Sequence, residues 1–143
     1  LKDAQEKGFA EADPTADVEG IDVANKLSIL IALLFDQYIA PTDIPTVGIS
    51  KITLDDNKAA AEENCKLKLI AHATYESGKV TASVAPEKIP YAHPLAGVSN
   101  EFNAVFINGD MVGELMFYGK GAGALPTGSA VVGDIITIAK SLK

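Results

Sequence analysis

The sequence is short of cysteine, histidine and basic residues, and each shortage argues against a class of protein. Cys65 is the only cysteine, so no disulfide can form within the chain, which fits a reducing compartment. One cysteine with His72 and His93 does not provide the spaced ligands of a structural metal site, so no metal is expected. The net charge is −7 and no run of Lys or Arg forms a basic patch, which argues against nucleic acid as a partner.

Long apolar runs are also missing. The longest, residues 27–35, lies between Lys26 and Asp36 and is far shorter than the ~20 residues that span a bilayer. We therefore expect no contact with membrane, a cytoplasmic location, and a buried helix that packs on both sides over this run. With 48% hydrophobic residues in 143 positions, the chain can build one core, and we expect a single globular domain over residues 1–143.

The pattern of apolar residues predicts an α+β fold. Helical spacing from Val18 to Leu34 predicts one helix with Asp17 as its N-cap. After Pro41 and Pro45, alternation predicts a short strand over 46–54, and an Ala- and Glu-rich stretch predicts a solvent-facing helix over 55–65.

The second half of the chain reads as strands followed by a helix. Two alternating segments joined by Glu76-Ser77-Gly78 predict a hairpin, and two more strands flank a turn at 108–110. The segment 126–142 predicts a helix with Pro126 at or near its first position. Short turns imply antiparallel pairing, so we predict a mostly antiparallel sheet with helices covering one face.

The stretch EADPTADVEGIDVANK contains the residues best suited to acid/base chemistry or to binding a cation. Its carboxylates precede a lysine that opens the apolar run; they are Glu11, Asp13, Asp17, Glu19 and Asp22. Asp22 and Lys26 are four residues apart and share a helix face, so a surface ion pair is one interpretation. Alternatively, Lys26 is an acid/base, because partial burial favours its neutral amine while nearby carboxylates favour its charged form. Clustered carboxylates also suit a substrate that carries a positive charge.

Two other interpretations of the acidic stretch are a solvated loop and a calcium loop. A run of carboxylates is most often a solvated loop. The D-x-[DN]-x-[DN]-G pattern ending in Glu is absent and Pro14 fits it poorly, which argues against calcium.

A glycine-rich turn occurs in YGKGAGALPTG. Gly119, Gly121 and Ala124 satisfy G-x-G-x-x-A between a predicted strand and a predicted helix. The second strand and the acidic residue of a dinucleotide fold do not follow, so we do not predict a complete nucleotide site. The glycines permit either close approach of the backbone to a ligand or a tight turn.

Three stretches together resemble the catalytic and dimerisation region of homoserine dehydrogenase: EADPTADVEGIDVANK, HPLAGVSNEFNAVF and GELMFYGKGAGALPTGSAVVGDI. The resemblance covers nearly the whole chain. It implies interconversion of L-homoserine and L-aspartate 4-semialdehyde with NAD(P), on the route to threonine and methionine, by a homodimer.

The resemblance also implies roles for particular residues. Glu11 would bind the substrate ammonium group, Asp17 and Asp22 would be the acidic residues of the site, and Lys26 would be the acid/base. The cofactor-binding glycines would be Gly121 and Gly123, of which Gly123 lies against the cofactor in the resembling enzymes. Phe9 stands where some members have tyrosine.

The resemblance finally implies what this chain lacks. An N-terminal Rossmann domain with a second lysine is expected ahead of Leu1, so the isolated chain is expected to be inactive and to bind no cofactor tightly. The substrate domain of another NAD(P)-linked dehydrogenase, or a non-catalytic acidic interaction module, are the alternatives; an acylating semialdehyde dehydrogenase would need a nucleophilic cysteine, for which Cys65 is poorly placed.

Overall fold

The computed structural model describes residues 13–142, which divide between two compact units, one within Ala12–Ala96 and one that includes Gly97–Lys143. The first unit contains helices α1 (Thr15–Val18), α2 (Ile21–Phe35) and α3 (Leu54–Glu62), strands β1 (Cys65–Glu76) and β2 (Lys79–Pro90), and a 3₁₀ turn at Pro41–Asp43. The second contains β3 (Phe102–Gly109), β4 (Gly113–Lys120) and α4 (Ala124–Ser141). A second 3₁₀ turn, Pro94–Gly97, lies where the two units join along the chain. The predicted α+β class is confirmed.

The strands pair as two antiparallel hairpins, β1 with β2 and β3 with β4. The first hairpin turns at the predicted place, because Ser77 and Gly78 both have positive φ, as a type I′ turn requires. The second turns two residues later than predicted, since β3 continues through Asn108 and Gly109 before the turn begins.

The core of the first unit lies between α2 and the β1–β2 hairpin. Ile31 and Val84 are its most deeply buried members, and Leu27, Ile44 and Val80 surround them. At the end of α2, Phe35 stacks on Tyr75 of β1 with ring centroids 5.5 Å apart. These contacts hold α2 across one face of the hairpin, as predicted for helices in this fold.

One prediction for α2 is wrong, because the helix does not pack on both sides. Ile29 is 61% exposed and Leu33 is 75% exposed, so a stripe opposite the core faces outward. The apolar run indicates that most positions of α2 accept hydrophobic residues. It does not indicate how many faces of the helix are covered by other parts of the protein.

The predicted helix start at Asp17 is also wrong. Asp17 lies inside the single turn of α1, and Gly20 separates α1 from α2 with a φ of 77°. A glycine in the left-handed region ends a helix, and here it redirects the chain before α2 begins at Ile21.

The predicted strand over 46–54 is reduced to one parallel bridge between Thr46 and Val84. The following helix α3 is confirmed and solvent-facing, with only Ala60 buried. Thr53 caps it with Asp56 in a reciprocal capping box.

In the second unit, α4 follows β4 after the turn at 121–123. The helix begins at Ala124, so Pro126 is its third residue, where a missing N–H removes no helical hydrogen bond. None of the helices in residues 13–142 is both long and apolar enough to cross a membrane.

Candidate active site

The described part of the acidic stretch, residues 13–26, contains the single turn of α1 and the first turns of α2, which are separated at Gly20. Asp13 accepts hydrogen bonds from the Thr15 hydroxyl (2.6 Å) and the Thr15 backbone N–H (3.1 Å). These bonds, the hydroxyl first, lower the pKa of the Asp13 carboxyl from its usual value. Asp13 therefore organises the turn that leads into α1.

Asp22 and Lys26 form an ion pair on the first turns of α2. Lys26 Nζ lies 2.5 Å from Asp22 Oδ2, as the i, i+4 spacing predicts. The Lys26 side chain is 57% exposed and that of Asp22 is 42% exposed, so the expected burial of the lysine is not found in the described residues. Asp22 also lies in the first turn, where a carboxylate interacts favourably with the helix dipole.

Asp17 is exposed on α1, and no hydrogen bond or ion pair ties its side chain to residues 13–142. Its carboxylate is therefore available to a ligand. Glu11, the predicted ammonium-binding residue, lies outside the described residues. The structure thus brings Asp22 and Lys26 into contact and leaves Asp17 on the adjoining turn.

The junction between α1 and α2 is held by residues 45–49, which we name the strap and which overlap the predicted strand over 46–54. The strap is bound to β2 by Val84 N–H donating to Pro45 O (2.9 Å) and Val47 N–H donating to Val84 O (2.8 Å). At its other end, Ile49 N–H donates to Val18 O at 2.7 Å. Alternation in this part of the sequence predicts an extended segment, but it does not predict the contact with α1.

The predicted cofactor glycines lie in the turn between β4 and α4, in the strand–turn–helix order that the sequence predicts. Gly121 packs on Asn103, since a Cβ at Gly121 would lie 1.8 Å from Asn103 Nδ2. Gly123 has φ 118° and ψ 150°, a conformation available almost only to glycine. A Cβ at Gly123 would make ordinary contact with the Pro126 ring at 3.5 Å, so the backbone conformation is what favours glycine at this position.

His72 pairs across the hairpin with Glu87, Nε2 to Oε2 at 3.0 Å. His72 borders a shallow depression of about 220 Å³ that is also lined by Thr74, Thr81, Ala82 and Ser83. A second depression of about 280 Å³ is lined by Ile49, Ile52, Asn57, Leu67, Lys68, Leu69 and Pro86. Neither depression includes Asp22 or Lys26, and residues 13–142 contain no cluster of potential metal ligands.

The sequence of this chain is similar along nearly its whole length to known proteins. The Homoserine dehydrogenase family model matches residues 1–136. The homoserine dehydrogenase of Bacillus subtilis (strain 168) is 46% identical over 143 residues, which is all of this chain and 33% of that protein. The chain therefore spans about a third of the length of the curated relatives that it matches.

Solved structures agree with the sequence matches. The crystal structure of S. aureus homoserine dehydrogenase at pH 6.5 superposes with a TM-score of 0.89 at 52% identity, covering 97% of this chain and 35% of that one. The homoserine dehydrogenase of Thiobacillus denitrificans gives a TM-score of 0.88 at 43% identity, over 95% of this chain and 32% of that one. The chain belongs to the homoserine dehydrogenase family.

Proposed function

We propose that this chain is the substrate-binding and dimerisation region of a longer NAD(P)-dependent homoserine dehydrogenase, named here the intact enzyme. The intact enzyme interconverts L-homoserine and L-aspartate 4-semialdehyde in threonine and methionine biosynthesis. The observation that carries the proposal is the Asp22–Lys26 ion pair, at 2.5 Å, in a chain matched by the family over residues 1–136.

Lys26 is the proposed acid/base. In the oxidation direction the neutral Lys26 amine accepts the proton of the homoserine hydroxyl, and in the reverse direction the ammonium returns it. Bound NAD(P) would supply the hydride acceptor for the carbon that carries this hydroxyl. Asp22 holds the Lys26 amine by its charge and hydrogen bond, so that it stays on one side of the reacting carbon.

The other carboxylates bind the substrate. Glu11 takes the α-ammonium group, and Asp17, which is exposed on α1, offers a further carboxylate to the substrate. An ammonium group needs a fixed carboxylate within ion-pair distance, and its binding does not change as the hydroxyl is oxidised at the far end of the substrate. These residues therefore act on affinity more than on chemistry.

Gly121 and Gly123 are the proposed cofactor contacts. Their place in the turn between β4 and α4 supports this role, because a backbone without a side chain lets a large ligand approach closely. The packing of Gly121 on Asn103 supplies a structural reason for glycine at that position as well.

The outward stripe of α2 supports the proposal that the site is completed by the rest of the intact enzyme. Asp22, Lys26, Ile29 and Leu33 lie within about 60° of each other around the helix axis. Ile29 and Leu33 are mostly exposed here, and the relatives are about three times as long as this chain. A part of the intact enzyme that covers Ile29 and Leu33 would also exclude water from Lys26, which strengthens its electrostatic interactions.

Substitutions in the intact enzyme test the assignment of substrate contacts. Glu11→Ala is expected to raise the homoserine KM with kcat nearly unchanged, because it removes binding that is equal in the ground and transition states. Asp22→Ala is expected to lower kcat by mispositioning Lys26. Unchanged homoserine KM in Glu11→Ala would contradict the substrate assignment.

The isolated 143-residue chain provides a second test. It is expected to fold but to form no NAD(P)H from homoserine, because it spans only about a third of the length of its relatives. Exposed apolar side chains on β4, such as Phe117 and Tyr118, support association into a homodimer. Sedimentation that shows only a monomer of about 15 kDa at high micromolar concentration would contradict the dimer.

A further inference from the structure

The strap packs on the junction between α1 and α2. The orientation of this junction affects how Asp17, Asp22 and Lys26 face the substrate. Gly20 is buried at the junction against the strap and both strands of the first hairpin. A Cβ at Gly20 would lie 3.1 Å from Thr46 Cγ2, 3.4 Å from a Val84 methyl and 3.7 Å from a Leu69 methyl. The first residue of α2 follows Gly20 directly, so the strap sets where α2 begins.

Gly48 packs directly against the end of α1. A Cβ at Gly48 would lie 2.4 Å from Val18 O and 2.5 Å from Glu19 Cα. Both neighbours are backbone atoms, which cannot move aside as a flexible side chain does. The adjacent hydrogen bond from Ile49 N–H to Val18 O, at 2.7 Å, needs this close approach. Any side chain at position 48 must therefore push the end of α1 away from the strap.

We propose that Gly48 is a positioning residue for the acid/base chemistry. Through the strap it holds the α1–α2 junction against β2, and so keeps Asp17 and the Asp22–Lys26 pair in one orientation toward the substrate. This inference rests on the proposed function, because it assigns Gly48 an effect on the step in which Lys26 moves a proton. A displacement of about 1 Å at a reacting group can lower a rate by about 100-fold.

Gly48→Ala in the intact enzyme is the primary variant, with Gly97→Ala as the matched control. A Cβ at Gly97 would meet no atom within 4 Å, and Gly97 does not have the positive φ that favours glycine. We expect Gly48→Ala to lower kcat by about 10- to 100-fold while the KM for the dinucleotide stays within about twofold of wild type. Circular dichroism at the assay temperature verifies that each variant is folded.

A double-mutant cycle with Lys26→Ala separates positioning from general damage. If Gly48 acts through Lys26, adding Gly48→Ala to Lys26→Ala lowers kcat by less than about twofold further. Wild-type kcat in Gly48→Ala, or an equal fall in both backgrounds, overturns the inference while the proposed function stands. Wild-type kcat in Lys26→Ala overturns the proposed function, and the inference with it.

Thr46→Ser keeps the inference testable if Gly48→Ala does not fold. It removes only the methyl group that lies against Gly20 and keeps the hydroxyl that donates to Ile44 O at 2.9 Å. The expected loss of kcat is about threefold or more, absent when Lys26 is already alanine. Wild-type kcat in folded Thr46→Ser would overturn the inference in that case.

Discussion

The orientation of α2 can be tested by comparing two aliphatic residues on opposite sides of the helix. Ile31 is fully buried in the core between α2 and the first hairpin, whereas Leu33 is 75% exposed. Ile31→Ala removes three carbons, worth about 0.8 kcal/mol each by transfer, or about 2.4 kcal/mol. A residual cavity of about 80 Å³ adds roughly 2 kcal/mol. The expected loss of unfolding free energy is therefore about 2.5–4.5 kcal/mol, depending on how far the core collapses.

Leu33→Ala is the matched control, and it is expected to change the unfolding free energy by less than about 0.5 kcal/mol in the 143-residue chain. Urea unfolding followed by circular dichroism measures both values by linear extrapolation. Ile31→Val, expected to cost about 0.5–1.5 kcal/mol, replaces Ile31→Ala if the latter is unfolded without urea. Equal losses, or a larger loss at Leu33, would refute this packing and with it the outward placement of Lys26.

Three further predictions concern local structure. Thr53→Ala should lower the stability of the chain by about 1 kcal/mol, because it removes the capping box of α3, and the midpoint of urea unfolding should fall accordingly. The hydroxyl of Thr53, and then its backbone N–H, hold the pKa of Asp56 below its usual 3.8, so this carboxylate stabilises the fold above pH 3.8 and the effect disappears as the pH falls below it. The Tm difference between wild type and Asp56→Asn should therefore be largest above pH 3.8 and shrink as the pH is lowered below it; a difference that does not change with pH would contradict this. Gly123→Ala should cost about 1–3 kcal/mol through backbone strain at φ 118°, and an unchanged Tm would show that the turn has another conformation.

Local signals in the sequence were sufficient for the elements that are stabilised locally. The β1–β2 turn follows from Ser77-Gly78, since both residues must adopt positive φ there. Helix α3 follows from its composition and position, and the Asp22–Lys26 contact follows from i, i+4 spacing. Each of these depends on residues at most a few positions apart.

The features that sequence reasoning missed depend on distant contacts. The strap is held by hydrogen bonds to Val18 and Val84, which are far from it along the chain. Alternation over residues 46–54 predicts a regular strand because it carries no information about these contacts. The break at Gly20 belongs to the same arrangement, because its packing partners Thr46 and Val84 come from the strap and from β2. The sequence predicts a buried Lys26 and the structure shows an exposed one, because an apolar run does not indicate which face of the helix is covered.

The central claim is that Lys26 moves the proton, and its most direct test is the kcat of the intact enzyme at saturating homoserine. The matched control is Lys58→Ala, which breaks another exposed helical ion pair, Lys58 to Asp55 at 2.8 Å, away from the proposed site. An exposed pair contributes only about 0.3–0.5 kcal/mol to stability, so neither substitution should unfold the enzyme. The account predicts a fall in kcat of about 10²- to 10⁴-fold for Lys26→Ala and none for Lys58→Ala. Equal and near wild-type kcat in both variants would contradict it and reduce the Asp22–Lys26 pair to a surface contact.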